Sequence, residues 1–395
     1  MKILLINDYA TPTGGAEIQM LALRDGLRRR GHDARLFASS ARPTADENLA
    51  DYECLGTTSR FRTLLQTTNP WAFWQLRRVL GEFQPDVVHA RIFLTQLSPL
   101  ILPLLEGVPS LYQVVWYRSI CPLGTKILPD GAVCQVPAGM ACYRNGCLPL
   151  QDWLPLMLQM KLWRHWRDAF NLIVANSEAV RRRLLAEGIK SVEVVRNGVV
   201  VRPPRPALPA TPTVAFAGRL VREKGADVLI RAFAKVVTRI SNARLLLAGE
   251  GPERERLKKL IADLKLSSSI SMLGYLPRPE MERRFAGAWV QAVPSCWEEP
   301  FANAALEAMM RGTAVVASDA GGLTEIVHNG RSGLLVPPGD ADALAEALSH
   351  LLQDIRLAER MGSCGREIAL SNFSQDTCVD RFIHWYEVLR KTYDQ

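Results

Sequence analysis

Five prolines, at positions 203, 204, 206, 209 and 212, crowd into the run Val199 to Pro212, which has no apolar periodicity. Proline fixes φ and removes a backbone donor, so this run cannot continue a helix or a central strand and reads as a linker. The boundary it predicts lies near residue 205, with domains over 1–205 and 206–375. A chain of 395 residues with 48% hydrophobic content is long enough to bury two cores. On both sides of the linker short apolar runs alternate with helical patterns. Leu245 to Ala248, for example, precedes the helical Glu253 to Leu264. Such alternation predicts α/β domains with doubly wound parallel sheets, in which the ligand crevice lies beyond the carboxyl ends of the strands. No internal repeat or low-complexity tract interrupts the pattern.

The residues that follow the predicted strands carry the chemistry. Glu299 and Glu307 stand in the run from Pro294 to Met309. Pro300 keeps Glu299 out of helical angles, which predicts one carboxylate on a loop and the second about two turns inside the following helix. Carboxylates accept paired hydroxyl hydrogen bonds, and a helix start adds backbone N–H donors, so the run suits a polyhydroxy ligand. Taken alone, such a pair is more often a solvated helix face. Upstream, Phe216 to Gly225 reads as strand, turn and helix start, with Arg219 and Lys224 in the turn. A guanidinium fork and a mobile ammonium beside a helix N-terminus suit a diphosphate. Taken alone, this too could be a basic surface turn.

With both motifs in order, the chain resembles the retaining glycosyltransferases of family 4, over nearly its whole length. The resemblance implies the GT-B fold, two Rossmann-like domains facing a central cleft, and a segment 376–395 crossing back onto the first domain. Strand Lys2 to Asn7 leads to Thr13-Gly14-Gly15-Ala16-Glu17, similar to the family's glycine loop beside the donor phosphates. Asp86 to Ala90 is similar to the strand whose terminal residue, His89, faces the transferred sugar. Gly249 to Pro252 matches the turn under the nucleotide, Gly274 to Pro277 with Leu276 the turn near the base, and Gly321 to Ile326 a further family segment. The resemblance implies that Gly14, Gly15, Arg219 and Lys224 hold the diphosphate, that Glu307 binds the ribose, and that Glu299 with the Phe301 backbone grips the sugar. One departure is Ala302, where many members carry glycine and a methyl group would crowd the backbone that meets the sugar.

Charge divides unevenly. Residues 1–205 hold 25 Lys/Arg against 17 Asp/Glu, while the remainder holds 23 of each. The excess suits an acceptor domain held against anionic lipid headgroups, or simply a soluble surface. Two patches combine aromatic and basic residues: Trp71 to Arg78, and Trp153 to Arg167, in which Trp163 and Trp166 are expected to face the core. No apolar run is long enough to span a membrane, and the first residues form a strand without a cleavage site, so a cytoplasmic protein, with peripheral attachment to the membrane as an option, is expected. Four of the eight cysteines, Cys121, Cys134, Cys142 and Cys147, crowd into an insertion over 119–150. They read either as a structural zinc centre or as free or redox-sensitive thiols, while Cys54, Cys296, Cys364 and Cys378 read as isolated buried thiols.

The expected activity is therefore sugar transfer, with retention, from a nucleoside-diphosphate sugar to a saccharide or lipid-linked acceptor. Surface polysaccharide or glycoconjugate synthesis is the expected setting. Departure of the diphosphate is expected to be stabilised electrostatically, with no cofactor or catalytic metal required and no nucleic-acid partner. A sugar-nucleotide epimerase or a phosphorylase on the same scaffold would need ring-side acid–base pairs or a lysine-bound pyridoxal group, for which no motif stands. A nucleotide-sugar binding protein without turnover is the alternative from a different class.

Overall fold

The computed structural model describes residues 1–12, 14–42, 47–59 and 61–393. Thr13, from the glycine-loop motif, lies outside them. The chain divides into two compact units, Met1–Gly198 with Gln375–Gln395, and Val199–Ser374.

In the first unit the order is β1 (Lys2–Asn7), α1 (Gly15–Arg29), β2 (Asp33–Ser39), β3 (Tyr52–Cys54), α2 (Arg62–Thr67), α3 (Pro70–Phe83), β4 (Val87–Ile92), β5 (Ser110–Val114), α4 (Met140–Arg144), α5 (Leu150–Trp166), β6 (Leu172–Ala175), α6 (Glu178–Ala186) and β7 (Val192–Val194). The strands form a parallel seven-stranded sheet in the order β3-β2-β1-β4-β5-β6-β7. Ile3 to Ile6 have no exposed surface, as a central strand covered on both faces requires. The order reverses between β1 and β4, and α1 starts there, at the carboxyl edge where doubly wound sheets bind ligands.

The second unit runs β8 (Thr213–Ala217), α7 (Ala226–Arg239), β9 (Arg244–Ala248), α8 (Arg254–Asp263), β10 (Ile270–Gly274), α9 (Arg278–Phe285), β11 (Val290–Val293), α10 (Asn303–Arg311), β12 (Ala314–Ser318), β13 (Gly333–Val336), α11 (Ala341–Gln353) and α12 (Ile355–Asn372). Its parallel sheet has the order β10-β9-β8-β11-β12-β13, with the same reversal between β8 and β11. The final helix, α13 (Gln375–Tyr393), belongs to the first unit, where Val379, Phe382 and Tyr386 are buried beside α1 and the sheet.

The units divide at Gly198–Val199 rather than near residue 205. The proline-rich run is fastened to the second unit: Val199 N–H donates to Phe373 O, Arg205 N–H to Arg311 O, and Trp289 Nε1 to Pro209 O. Proline-rich composition reported the missing periodicity and could not report these tertiary bonds. Within the insertion, α4 and an antiparallel bridge between Ile127 and Val133 supply some regular structure. Lys126 tethers it: the side chain is 4% exposed and donates to Val136 O and to Glu187.

Candidate active site

The carboxyl edge of the second sheet assembles one bonded cluster. After β8 the chain passes through Gly218 to Val221, makes one 3-10 turn at Arg222–Lys224, and enters α7 through Gly225. Gly225 has φ +67°, and a Cβ there would lie 1.9 Å from Pro294 O. Only glycine allows this turn to rest against the backbone leaving β11. The contact brings Lys224 to Glu299, 75 residues away in sequence, with Nζ 2.8 and 2.7 Å from the two carboxylate oxygens. Ser295 Oγ and Trp297 Nε1 donate to Oε2 at 2.8 and 3.0 Å, and the ammonium lies 5.6 Å from the centre of the Trp297 ring.

Glu299 is 5% exposed, and burial pushes its carboxyl toward the neutral form. The ammonium of Lys224 and the hydrogen bonds from Lys224, Ser295 and Trp297 outweigh that effect and hold it below its ordinary value. Its backbone is fixed as well. Gly322 N–H donates to Glu299 O, and the adjoining Gly321, at φ +57°, would place a Cβ 2.4 Å from that oxygen.

The cations therefore have the reverse of the expected characters. Lys224 is held in place, whereas the Arg219 side chain is 70% exposed and lies 3.9 Å from Glu223. The guanidinium is the group with freedom to meet a ligand. Glu307 is the fifth residue of α10, about one turn inside rather than two, because the loop after Pro300 runs on to Ala302. Its carboxylate accepts from Arg278 Nη2 at 2.6 Å, which links α10 to the turn carrying Leu276 before α9. Leu276 packs against the buried cluster of Ala215, Ala248, Phe285 and Ala288, while Tyr275 is exposed. Gly249 N–H donates to Gly274 O and Gly218 N–H to Ala248 O, which lays the ends of β8, β9 and β10 side by side.

Phe301 and Ala302 are buried in the apolar cluster around α10, with Phe301 against Phe373. Ala302 has φ −89°, a conformation open to any residue, so its methyl group fills core instead of crowding the site. Its departure from glycine thus has a packing explanation. Ser295 and Trp297, which sequence reasoning left without roles, stood in the same run as Glu299. Arg278 carried no comparable signal.

In the first unit Gly14 caps α1 and Gly15 is its first residue, and a Cβ on Gly14 would lie 2.2 Å from Glu17 Oε2. The reading of His89 as a strand-terminal group facing a sugar is corrected. His89 is the third residue of β4, fully buried, with Nδ1 2.6 Å from the Tyr386 hydroxyl and its ring against Phe382. Burial, reinforced by Arg91, pushes it down to about 3, so it is neutral at physiological pH. β4 continues through Ala90, Arg91 and Ile92, which places Arg91, not His89, next to the strand end.

All eight cysteines are free, and among the described residues no three His, Cys, Asp or Glu side chains are grouped to hold a metal ion. Cys54 and Cys378 are buried, but Cys296 and Cys364 are only half-buried. Among the described residues no helix is long and apolar enough to cross a membrane.

Two successive parallel-sheet α/β units, each with a glycine turn or a cation turn at its order reversal, define the architecture of a GT-B glycosyltransferase. Residues 14–199 match the glycosyl transferase 4-like domain and residues 203–368 match the glycosyl transferases group 1 family. An uncharacterised glycosyltransferase of Methanocaldococcus jannaschii is 33% identical over 98% of both chains. The lipopolysaccharide core biosynthesis glycosyltransferase LpsD of Rhizobium meliloti is 31% identical over 98% of both. Among solved structures, Anabaena HepE in complex with UDP and glucose superposes with a TM-score of 0.70 at 21% identity, over 98% of this chain and 99% of that one. The chain belongs to the group 1, family 4-type glycosyltransferases.

Proposed function

We propose that this glycosyltransferase moves a sugar from a nucleoside-diphosphate sugar to a saccharide or lipid-linked acceptor, with retention at the anomeric carbon, in polysaccharide or glycolipid synthesis. The observation that carries the reading is the Lys224–Glu299 pair at the starts of α7 and α10, with Arg219 exposed beside it. Positive charge held at a helix start stabilises a departing diphosphate, whose charge grows as the glycosidic bond breaks. Glu299 orients Lys224 for that task, and its interaction with sugar hydroxyls passes through the oxygen positions the ammonium does not saturate. Glu307, released from Arg278, meets the ribose. The first-turn N–H groups of α10, beyond Phe301 and Ala302, face the sugar. The glycines Gly14, Gly15 and Gly249 are proposed to let backbone approach the donor.

The donor reading is supported by the UDP in the HepE complex, and the acceptor reading by the lipopolysaccharide role in the name of the Rhizobium relative. Cytoplasmic location with peripheral attachment belongs to the same proposal. It is supported by Phe61, Leu64, Trp71 and Trp74, each more than half exposed on or beside α2 and α3, with Arg77 and Arg78 following on α3. A structural zinc at Cys121, Cys134, Cys142 and Cys147 is likewise a proposal, resting on their crowding into one insertion; their side chains are not grouped around a metal position here, so binding would have to draw them together. It is checked by the metal content of the purified protein. Transfer itself is tested by supplying a nucleotide sugar with a candidate oligosaccharide acceptor and reading the product's anomeric configuration by NMR. The same configuration as the donor is expected; inversion would overturn the retaining reading.

A further inference from the structure

Arg91 is a buried cation that the cluster in the second unit does not use. It is the next-to-last residue of β4 and 2% exposed. Its Nη2 donates to Asn197 Oδ1 at 3.3 Å, its Nε has no partner, and among the described residues no carboxylate forms an ion pair with it. Glu17, in the first turn of α1, and the Cys378 thiol act on it only at longer range. Burial accordingly pushes its pKa down to about 10. A guanidinium carries five donors, and buried charges are ordinarily paired.

Two amides near it, Gln113 and Asn176, each have a buried oxygen without a well-formed hydrogen bond. Gln113, next to last in β5, donates from Nε2 to the same Asn197 Oδ1 at 3.4 Å; its Oε1 makes no well-formed hydrogen bond, and the amide lies within reach of the His89 ring, whose Nε2 is likewise unpartnered. Asn176, just after β6, donates from Nδ2 to Val115 O at 3.4 Å and leaves its Oδ1 without a partner. Asn197 follows β7. Strands β4, β5, β6 and β7 are neighbours in one parallel sheet, so these side chains all belong to its carboxyl edge, the edge that binds ligands in this kind of sheet.

We propose that Arg91, with Gln113, Asn176 and Asn197, forms a subsite for a phosphoryl group, with the guanidinium paired to its oxygens and the amides reading neighbouring hydroxyls. The phosphoryl group comes either from a phosphorylated acceptor or from the donor diphosphate. A planar fork meets phosphate oxygens two at a time, and it replaces here the carboxylate partner that a structural arginine would have.

The test compares the wild type with Arg91→Met and Asn197→Asp, each also combined with Arg219→Ala and Lys224→Ala so that the second unit's two cations contribute nothing. Glycerol 3-phosphate, inorganic pyrophosphate and UDP are titrated by calorimetry and thermal shift. Pyrophosphate or glycerol 3-phosphate is expected to stabilise the chain bearing only the second-unit changes. Arg91→Met abolishes that response and raises the ligand-free Tm, because an unpaired buried charge is removed. Asn197→Asp, which gives the guanidinium a carboxylate, also abolishes it without deleting the cation. If the source is an acceptor phosphate, UDP affinity in Arg91→Met is unchanged; if it is the donor, UDP binds about tenfold more weakly. Equal probe binding by the wild type and Arg91→Met, no response to any probe, or a lowered ligand-free Tm with unchanged probe binding would overturn the subsite. Because the phosphate probes are read without the second unit's cations, failure here is distinct from failure of the donor reading.

Discussion

At the scale of single residues, the Lys224–Glu299 pair is both structure and site. Removing the ammonium by Lys224→Ala strands a buried carboxylate and is expected to cost about 3 kcal/mol, read by urea unfolding. Glu299 has its folded value below the ordinary 4.5, so its contribution is fully present above that pH and is lost as pH falls through the lower folded value. Glu299→Gln is therefore expected to flatten the acid limb of the stability profile, and an unchanged acid limb would contradict the assignment. His89 makes the opposite prediction. Held neutral and bonded to Tyr386, it contributes no titration to activity between pH 5 and 8. His89→Ala is expected to lower stability by about 2 kcal/mol through a cavity and an orphaned hydroxyl, while the pH–activity profile keeps its shape. The spacing of Glu299 and Glu307 was legible in the sequence, as was the turn bearing Arg219 and Lys224. Which cation is fixed was not, because that depends on a contact between residues 75 apart made possible by Gly225. His89 was misread because strand pattern locates a strand without locating its end, and β4 runs on to Ile92.

Among the elements, the cysteine-bearing insertion shows what composition conceals. In the sequence its four cysteines stood out, as a zinc centre or as free or redox-sensitive thiols. The tether the structure displays is Lys126, buried and ion-paired with Glu187 at the end of α6. A lone lysine in a glycine- and proline-rich stretch carries no sign of burial. Lys126→Met is expected to cost about 3 kcal/mol and to make the insertion the first site of limited proteolysis, because Glu187 would be left without its partner. Proteolytic resistance equal to the wild type would show that other bonds suffice. One is Arg164 to Ala138 O, and another is Trp153 to Gly139 O. The helices themselves were read well where apolar spacing was strong, as in α7. The first turn of α10 shifted because the break set by Pro300 extends further than the residue before it.

The whole molecule presents its two sheets with the same reversal of strand order, and the alternation of apolar runs and helical patterns announced both. The boundary between the units escaped because a proline-rich run can be fastened along one domain as readily as it can bridge two. Its surface supports a further expectation. α2 packs on α5 through Thr63 to Asp152 and Thr67 to Pro155. Phe61, Leu64, Trp71, Trp74, Leu154 and Leu158 are exposed on these elements or beside them, and basic side chains follow on α3 and α5. Trp163 of α5, by contrast, is fully buried and donates to Ser119 O. Vesicles containing anionic lipid are expected to float the protein, zwitterionic vesicles far less, and Trp71→Ser with Trp74→Ser to abolish flotation. Equal flotation of that variant would remove the membrane from the account.

The turn carrying Arg219 and Lys224 is proposed to hold a nucleoside diphosphate. The most direct measurement is thermal stability of the wild type and Arg219→Ala with UDP, GDP and ADP, each shift taken against the same protein without ligand. Arg219 is largely exposed, so its removal leaves the fold intact and isolates the ligand contact. Ligand at about 100 times its Kd adds ~2.7 kcal/mol, which appears as a shift of several degrees. One nucleotide is expected to stabilise the wild type by that amount and the variant much less. Equal shifts in the two proteins, or none with any nucleotide, would contradict the claim.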